Sequence, residues 1–150
     1  MSLKSQVESG IKDAMRAKEV DTLRALRSIK SLILLEETKP GNTGGDLSAD
    51  DELKLLTKAA KQRRESADIY RTQGREDLLH VEEAELAIIE QFLPKQLTEE
   101  EIKAILQEII VRVGASAPSD MGKVMGVATK ELAGKADGRV VSTLVKSLLA

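Results

Sequence analysis

Cysteine and tryptophan are absent from these 150 residues, and tyrosine, phenylalanine and histidine occur once each. Without thiols there is neither a disulfide framework nor a thiolate metal site. This fits a reducing compartment, and a cytoplasmic location is expected. A single histidine, His80, cannot supply a zinc triad, and no HExxH pattern occurs. With Tyr70 and Phe92 as the only aromatic rings, stacking of single-stranded bases is excluded as the main mode of nucleic-acid binding. Any RNA partner has to be read through its folded shape and backbone. No apolar run exceeds the length of Leu32 to Leu35, far short of a bilayer crossing. The N-terminal stretch has no continuous apolar core of the secretory type. A soluble chain without membrane association is expected. A charge surplus is missing too: 23 Lys and Arg face 25 Asp and Glu, a formal net charge of −2, which argues against a general polyanion binder.

The residues that are present spell helices. Leu3, Val7, Ile11, Ala14 and Met15 recur at helical spacing, and this first helix is expected to end near Lys18. Asp21 is read as the cap of a second helix whose stripe is Leu23, Leu26, Ile29 and Ile33. The apolar run at its end suggests deep burial. Proline and glycines mark Thr38 to Asp46 as a loop. Ser48 caps a third helix that passes Tyr70 and stops near Gly74, and a fourth carries Leu79, Leu86, Ile89 and Leu93 before Pro94 limits it. Thr98 with Glu101 forms a capping box for a fifth, with Gly114 at its far end. Asp120 is read as the cap of a short sixth helix ended by Gly134, and Asp137 as the cap of the last, with Val141, Leu144, Val145 and Leu148 inward. No stretch alternates in the manner of a strand. The expected fold is all-α: an N-terminal four-helix unit over 1–93 and a smaller three-helix unit over 94–150, divided at Leu93 to Thr98.

No activated nucleophile, phosphate-cradling GxxxxGK[ST] loop or dinucleotide GxGxxG loop appears. The carboxylate runs lie at helix starts or on polar faces, where solvated charge explains them. No catalytic residue, metal or cofactor is expected. Two basic features remain. On the third helix Lys54, Lys58 and Lys61 share a face, with Arg64, Arg71 and Arg75 toward the same side, while Leu55, Leu56, Ala59 and Tyr70 point away. A phosphate-contacting stripe and a plain solvated face both fit this pattern. At the C-terminus Lys123 and Lys130 are one heptad apart, and Lys135 and Arg139 bracket the KADGR turn beside a helix N-terminus suited to an anion. Gly122 and Gly126 form a GxxxG step that admits either a neighbouring helix or a ligand backbone.

Two stretches, IIEQFLPKQLTEEEI (Ile88 to Ile102) and MGKVMGVATKELAGKADGRVVSTLVKSLL (Met121 to Leu149), resemble the GatB/YqeY family. The likeness extends over the whole chain from Leu3. It implies an all-helical protein with an N-terminal four-helix and a C-terminal three-helix part. The family's C-terminal part is similar to the tail of the B subunit of the glutamine-dependent tRNA amidotransferase. The resemblance therefore brings the label of a carbon–nitrogen ligase with glutamine as amido donor. The kinase-like cradle and metal site of that enzyme lie outside its tail, and nothing in these residues replaces them. The tail's role in the family is to contact tRNA. That role maps here onto Gly122, Lys123, Gly126, Lys130, Lys135 and Arg139; the Lys54, Lys58, Lys61 stripe rests on periodicity alone.

Three readings stand. The first is a non-catalytic tRNA-binding or tRNA-amidotransferase-associated module. Its partners would be folded tRNA and a tRNA amidotransferase or aminoacyl-tRNA synthetase. The second is a helical protein–protein adaptor with no RNA role. The third is a ligase component active only within a complex. The first is favoured on the C-terminal resemblance and the basic turn.

Overall fold

A computed structural model describes residues 2–41 and 45–150. Asn42, Thr43 and Gly44 of the expected Thr38–Asp46 loop lie outside the described residues. The described residues form seven α-helices and one 3-10 turn, with no strand among them: α1 (Leu3–Ala17), α2 (Val20–Glu37), α3 (Ala49–Thr72), α4 (Glu76–Glu90), α5 (Glu99–Val113), the turn Pro118–Asp120, α6 (Met121–Glu131) and α7 (Gly138–Leu149). The all-α class read from the sequence is the observed one. The chain divides into two compact units, Met1–Leu93 and Pro94–Ala150.

In the first unit α2 packs against α1, α3 and α4. The shared core contains Val7, Leu26, Ile29, Ile33, Leu56, Ala60 and Ile89, all fully or almost fully buried. Close approach of α1 and α2 depends on Gly10, where an added Cβ would stand 3.0 Å from Leu26 Cδ1. In the second unit α5, α6 and α7 pack on one another around Leu106, Ile109, Val124, Ala128 and Val145.

Several start and stop signals operate as read. The Ser48 hydroxyl accepts from the Asp51 N–H at 3.1 Å. Thr98 and Glu101 complete a reciprocal capping box. Gly114 ends α5 at φ 70° and Gly134 follows α6 at φ 74°, left-handed conformations that cost glycine little. Asp137 caps α7 by accepting from the Arg139 N–H at 2.9 Å.

Other expectations are overturned. Asp21 is not a cap: α2 starts at Val20 with Glu19 in the cap position and no side-chain bond, and Asp21 pairs with Arg24 at 3.3 Å. The reason is the short link before it. Lys18 adopts φ 58°, and its N–H and that of Glu19 return to carbonyls of α1, so the new helix begins almost at once. The run Leu32 to Leu35 is not deeply buried throughout. Ile33 is 1% exposed, Leu34 42% and Leu35 63%, because successive helical residues rotate by about 100° and cannot all face inward. Met15 is exposed for the same reason, next to buried Ala14. The helix α4 stops at Glu90, before the limit set by Pro94, and Leu93 is buried from the turn that follows. The Asp120 carboxylate turns back to accept from the N–H groups of Ser116 and Ala117 at 2.9 and 3.2 Å, closing the preceding loop, and does not cap α6.

Candidate nucleic-acid interface

The KADGR turn is built on the end of α6. The Leu132 N–H donates to Ala128 O and the Lys135 N–H to Leu132 O. Gly134, buried at positive φ, reverses the chain. The turn is then fastened to the segment that leads into α5. The Gln96 amide donates to Gly134 O at 2.7 Å and to Pro94 O at 2.9 Å. The Leu97 N–H donates to Lys135 O at 2.9 Å. Two sequence stretches almost forty residues apart thus lie side by side. Lys135 and Arg139 are both exposed on this turn and the first residues of α7. The α7 N-terminus is less open to an anion than its sequence suggests, because the Asp137 carboxylate already accepts one of its N–H groups.

On α6, Gly122, Lys123, Gly126 and Lys130 are all exposed. Lys123 and Lys130, seven residues and about 10 Å apart along the axis, share a side. Lys123 makes a loose pair with Asp120 at 3.9 Å. The GxxxG step does not serve helix packing: a Cβ at Gly122 or Gly126 would meet nothing within 4 Å. Of the two uses open to these glycines, contact with a neighbouring helix of this unit is removed.

Several carboxylates near these cations also have other partners. Glu131 pairs with Arg112, which also holds Glu108 at 3.1 Å, and the guanidinium is pushed above its ordinary range, first by the Glu131 hydrogen bond. The Asp120 carboxyl is held below the usual range, chiefly by the Ser116 N–H and then that of Ala117. Asp137 is a helix cap. Among the described residues, Lys130 and Lys135 make no ion pair.

The stripe on α3, in the other unit, is only half a stripe. Lys54, Lys58 and Lys61 are exposed as read. The arginines are not part of an open basic face, because α4 supplies carboxylates. Arg64 lies 3.2 Å from Glu90, Arg71 pairs with Asp68 at 2.9 Å and Glu83 at 3.2 Å, and Arg75 pairs with Asp77 at 3.1 Å. Arg63 stands 2.8 Å from Glu85 and 3.6 Å from Glu82, and donates to Ser28 Oγ at 3.0 Å, joining α2, α3 and α4. Glu85 is buried. The carboxyl of Glu82 is raised above its ordinary range, foremost by burial and further by Glu85, against the lowering effect of Arg63. The VEEAE run read as solvated charge is therefore partly an interior ion-pair network. Its signal, visible only with α3 and α4 aligned, was the match of Arg63, Arg64 and Arg71 to acidic residues on the next helix.

His80 is exposed, 4.0 Å from Asp21. No group of three or more potential metal ligands occurs among the described residues, and no helix among them is long and apolar enough to cross a membrane. Gln96 and Lys95 were not singled out from the sequence. Their place within LPKQL, the stretch that breaks the two helical patterns, was the available signal.

Comparison with known proteins places these features in context. The family model described as Yqey-like protein matches residues 4–149. The altered inheritance of mitochondria protein 41, mitochondrial, of Clavispora lusitaniae is 31% identical over 153 residues, covering 98% of this chain and 87% of that protein. A glutamyl-tRNA(Gln) amidotransferase subunit of Thermococcus gammatolerans is 36% identical over 72 residues, 45% of this chain. The match spans only 12% of the length of that amidotransferase chain.

Proposed function

The chain belongs to the YqeY-like protein family, and from that premise we propose that it is a non-catalytic tRNA-binding module associated with tRNA amidation. The observation that carries this reading is the similarity to a protein whose name places it on tRNA. Chemistry in the second unit supports it. Lys123, Lys130, Lys135 and Arg139 are exposed, and among the described residues Lys130 and Lys135 make no ion pair. A backbone reader needs cations and close approach but no aromatic platform, and Gly122 and Gly126 leave the α6 backbone open. The protein partner would be a tRNA amidotransferase or an aminoacyl-tRNA synthetase, which would supply the catalytic groups.

The test is binding of the purified chain to total folded tRNA at two salt concentrations. The reading expects saturable binding that weakens as salt rises and is reduced by Lys135→Glu with Arg139→Glu. No binding at low salt refutes it.

A helical adaptor is the second reading, favoured by a separate observation. An open groove of about 290 Å³ in the first unit is lined by Gly10, Ala14, Leu26, Ile88 and Phe92 with Asp13 and Glu19 beside it. Leu35, Ile69 and Val20 are also exposed apolar side chains. Affinity capture with a partner profile unchanged by RNase favours the adaptor; loss of the partners after RNase returns the case to RNA.

A further inference from the structure

The bonds made by Gln96 and Leu97 do more than close the core of the second unit. They hold the segment that carries Lys95, just before Gln96, against the turn that carries Lys135, just after Gly134. Both lysines are exposed, and neither makes an ion pair among the described residues. Glu99 and Glu100, next along the chain, stand in the first turn of α5, where the helix dipole favours them, and Glu101 is engaged by the capping box. The segment carrying Lys95 is also stiff. Proline fixes one backbone angle at position 94, and the Gln96 amide spans both Pro94 O and Gly134 O.

Two exposed cations carried on adjoining backbone segments repel each other wherever their side chains converge. An anion between or across them turns that repulsion into attraction. We infer that Lys95 and Lys135 form one phosphate-contact unit for the backbone of a folded RNA, with Gln96 as the residue that positions it. This rests on the tRNA reading and deepens it. It adds Lys95, from the segment between α4 and α5, and it joins the LPKQL and GKADGR stretches. They are two halves of one surface.

The experiment uses the full chain and a pool of folded, deacylated tRNA, with affinity measured across a series of KCl concentrations. The variants are Lys95→Ala, Lys135→Ala, Gln96→Ala and, as a control cation on the same unit, Lys103→Ala. Each lysine that meets a phosphate contributes about one unit to the slope of log affinity against log salt. Lys95→Ala and Lys135→Ala are each expected to flatten that slope by about one unit and to weaken binding several-fold at low salt. Lys103→Ala should change neither. Gln96→Ala, which removes no charge, should flatten the slope in protein whose circular dichroism remains that of the folded chain. If Gln96→Ala unfolds the unit, the two lysine variants, both at exposed positions, still decide the matter. A Lys95→Ala protein with the wild-type slope, beside a Lys135→Ala protein with a reduced one, overturns the inference and leaves the tRNA reading intact. Failure of the wild type to bind tRNA overturns both.

Discussion

Alanine at position 126 separates structural from functional uses of the glycines. Gly126 sits in the middle of α6, exposed, with nothing within 4 Å of the place a Cβ would occupy. A glycine in a helix interior is about 0.5–1 kcal/mol less favourable than alanine, largely because it leaves more freedom to the unfolded chain. Gly126→Ala should therefore stabilise the second unit by that amount. For a unit of this size the midpoint should rise by about 3–8 °C. Gly122, the second residue of α6, should give a smaller gain. The assay is thermal unfolding of the full chain followed by far-UV circular dichroism and by tyrosine emission. The one tyrosine, Tyr70, lies in α3, so its emission reports the first unit. A transition that moves in dichroism and not in tyrosine emission belongs to the second. An unchanged or lowered midpoint would refute the reasoning, since it would mean that some group does occupy the space. The same protein then addresses function. Greater stability with weaker tRNA binding is the signature of a glycine needed for close approach of a ligand. Greater stability with unchanged binding removes Gly126 from the interface.

Three further outcomes are expected. Arg63→Ala leaves Glu82 and Glu85 facing each other in a largely buried site and should cost about 3 kcal/mol at pH 7 in urea unfolding followed by Tyr70 emission. A folded-state pKa raised above the unfolded value, as for Glu82, means that this group favours folding below the unfolded pKa and that the benefit is lost as pH rises through the folded one. Removing the guanidinium widens that gap, so the deficit should be smaller at pH 5 than at pH 7; a pH-independent deficit would mean lost packing only. Thr98→Ala should lower the stability of the second unit by about 1 kcal/mol through its capping box, read as a dichroism midpoint that falls while the tyrosine midpoint holds. Gly10→Val should destabilise the first unit by about 1–3 kcal/mol, because even its Cβ stands 3.0 Å from Leu26 Cδ1; an unaffected tyrosine midpoint would show that α1 and α2 can separate without loss.

The helices were legible because their signals are local. Thr98 with Glu101, Ser48, Asp137 and the glycines at 114 and 134 each act within a few residues of themselves. Errors arose where a local rule had two solutions. Asp21 can start a helix, but Lys18 takes a left-handed conformation uncommon outside glycine and lets α2 start earlier. Asp120 can cap α6 or close its own loop, and two N–H groups before it outweigh the cap. GxxxG can pack helices or leave a backbone bare, and spacing alone does not say which. The bond from Gln96 to Gly134 spans 38 residues, and no pattern within either segment implies it.

Charge in this chain acquires meaning only after carboxylates are matched to cations through the fold. By sequence α3 has the denser basic run, yet α4 brings acidic partners to Arg63, Arg64 and Arg71. What remains is the lysine trio Lys54, Lys58 and Lys61. In the second unit basic residues barely exceed acidic ones, but Asp120 and Asp137 are bound by backbone N–H groups and Glu131 by Arg112. A carboxylate that accepts these bonds still carries its charge, so the local field is moderate. The gain is geometric: these acids are bonded to their own turns or to Arg112, and among the described residues none pairs with Lys130 or Lys135. Such a surface would bind polyanions weakly at random and better where phosphates are spaced to match fixed lysines. That is the behaviour expected of a reader of folded RNA, and it is why slope against salt and comparison between single lysines discriminate better than affinity alone.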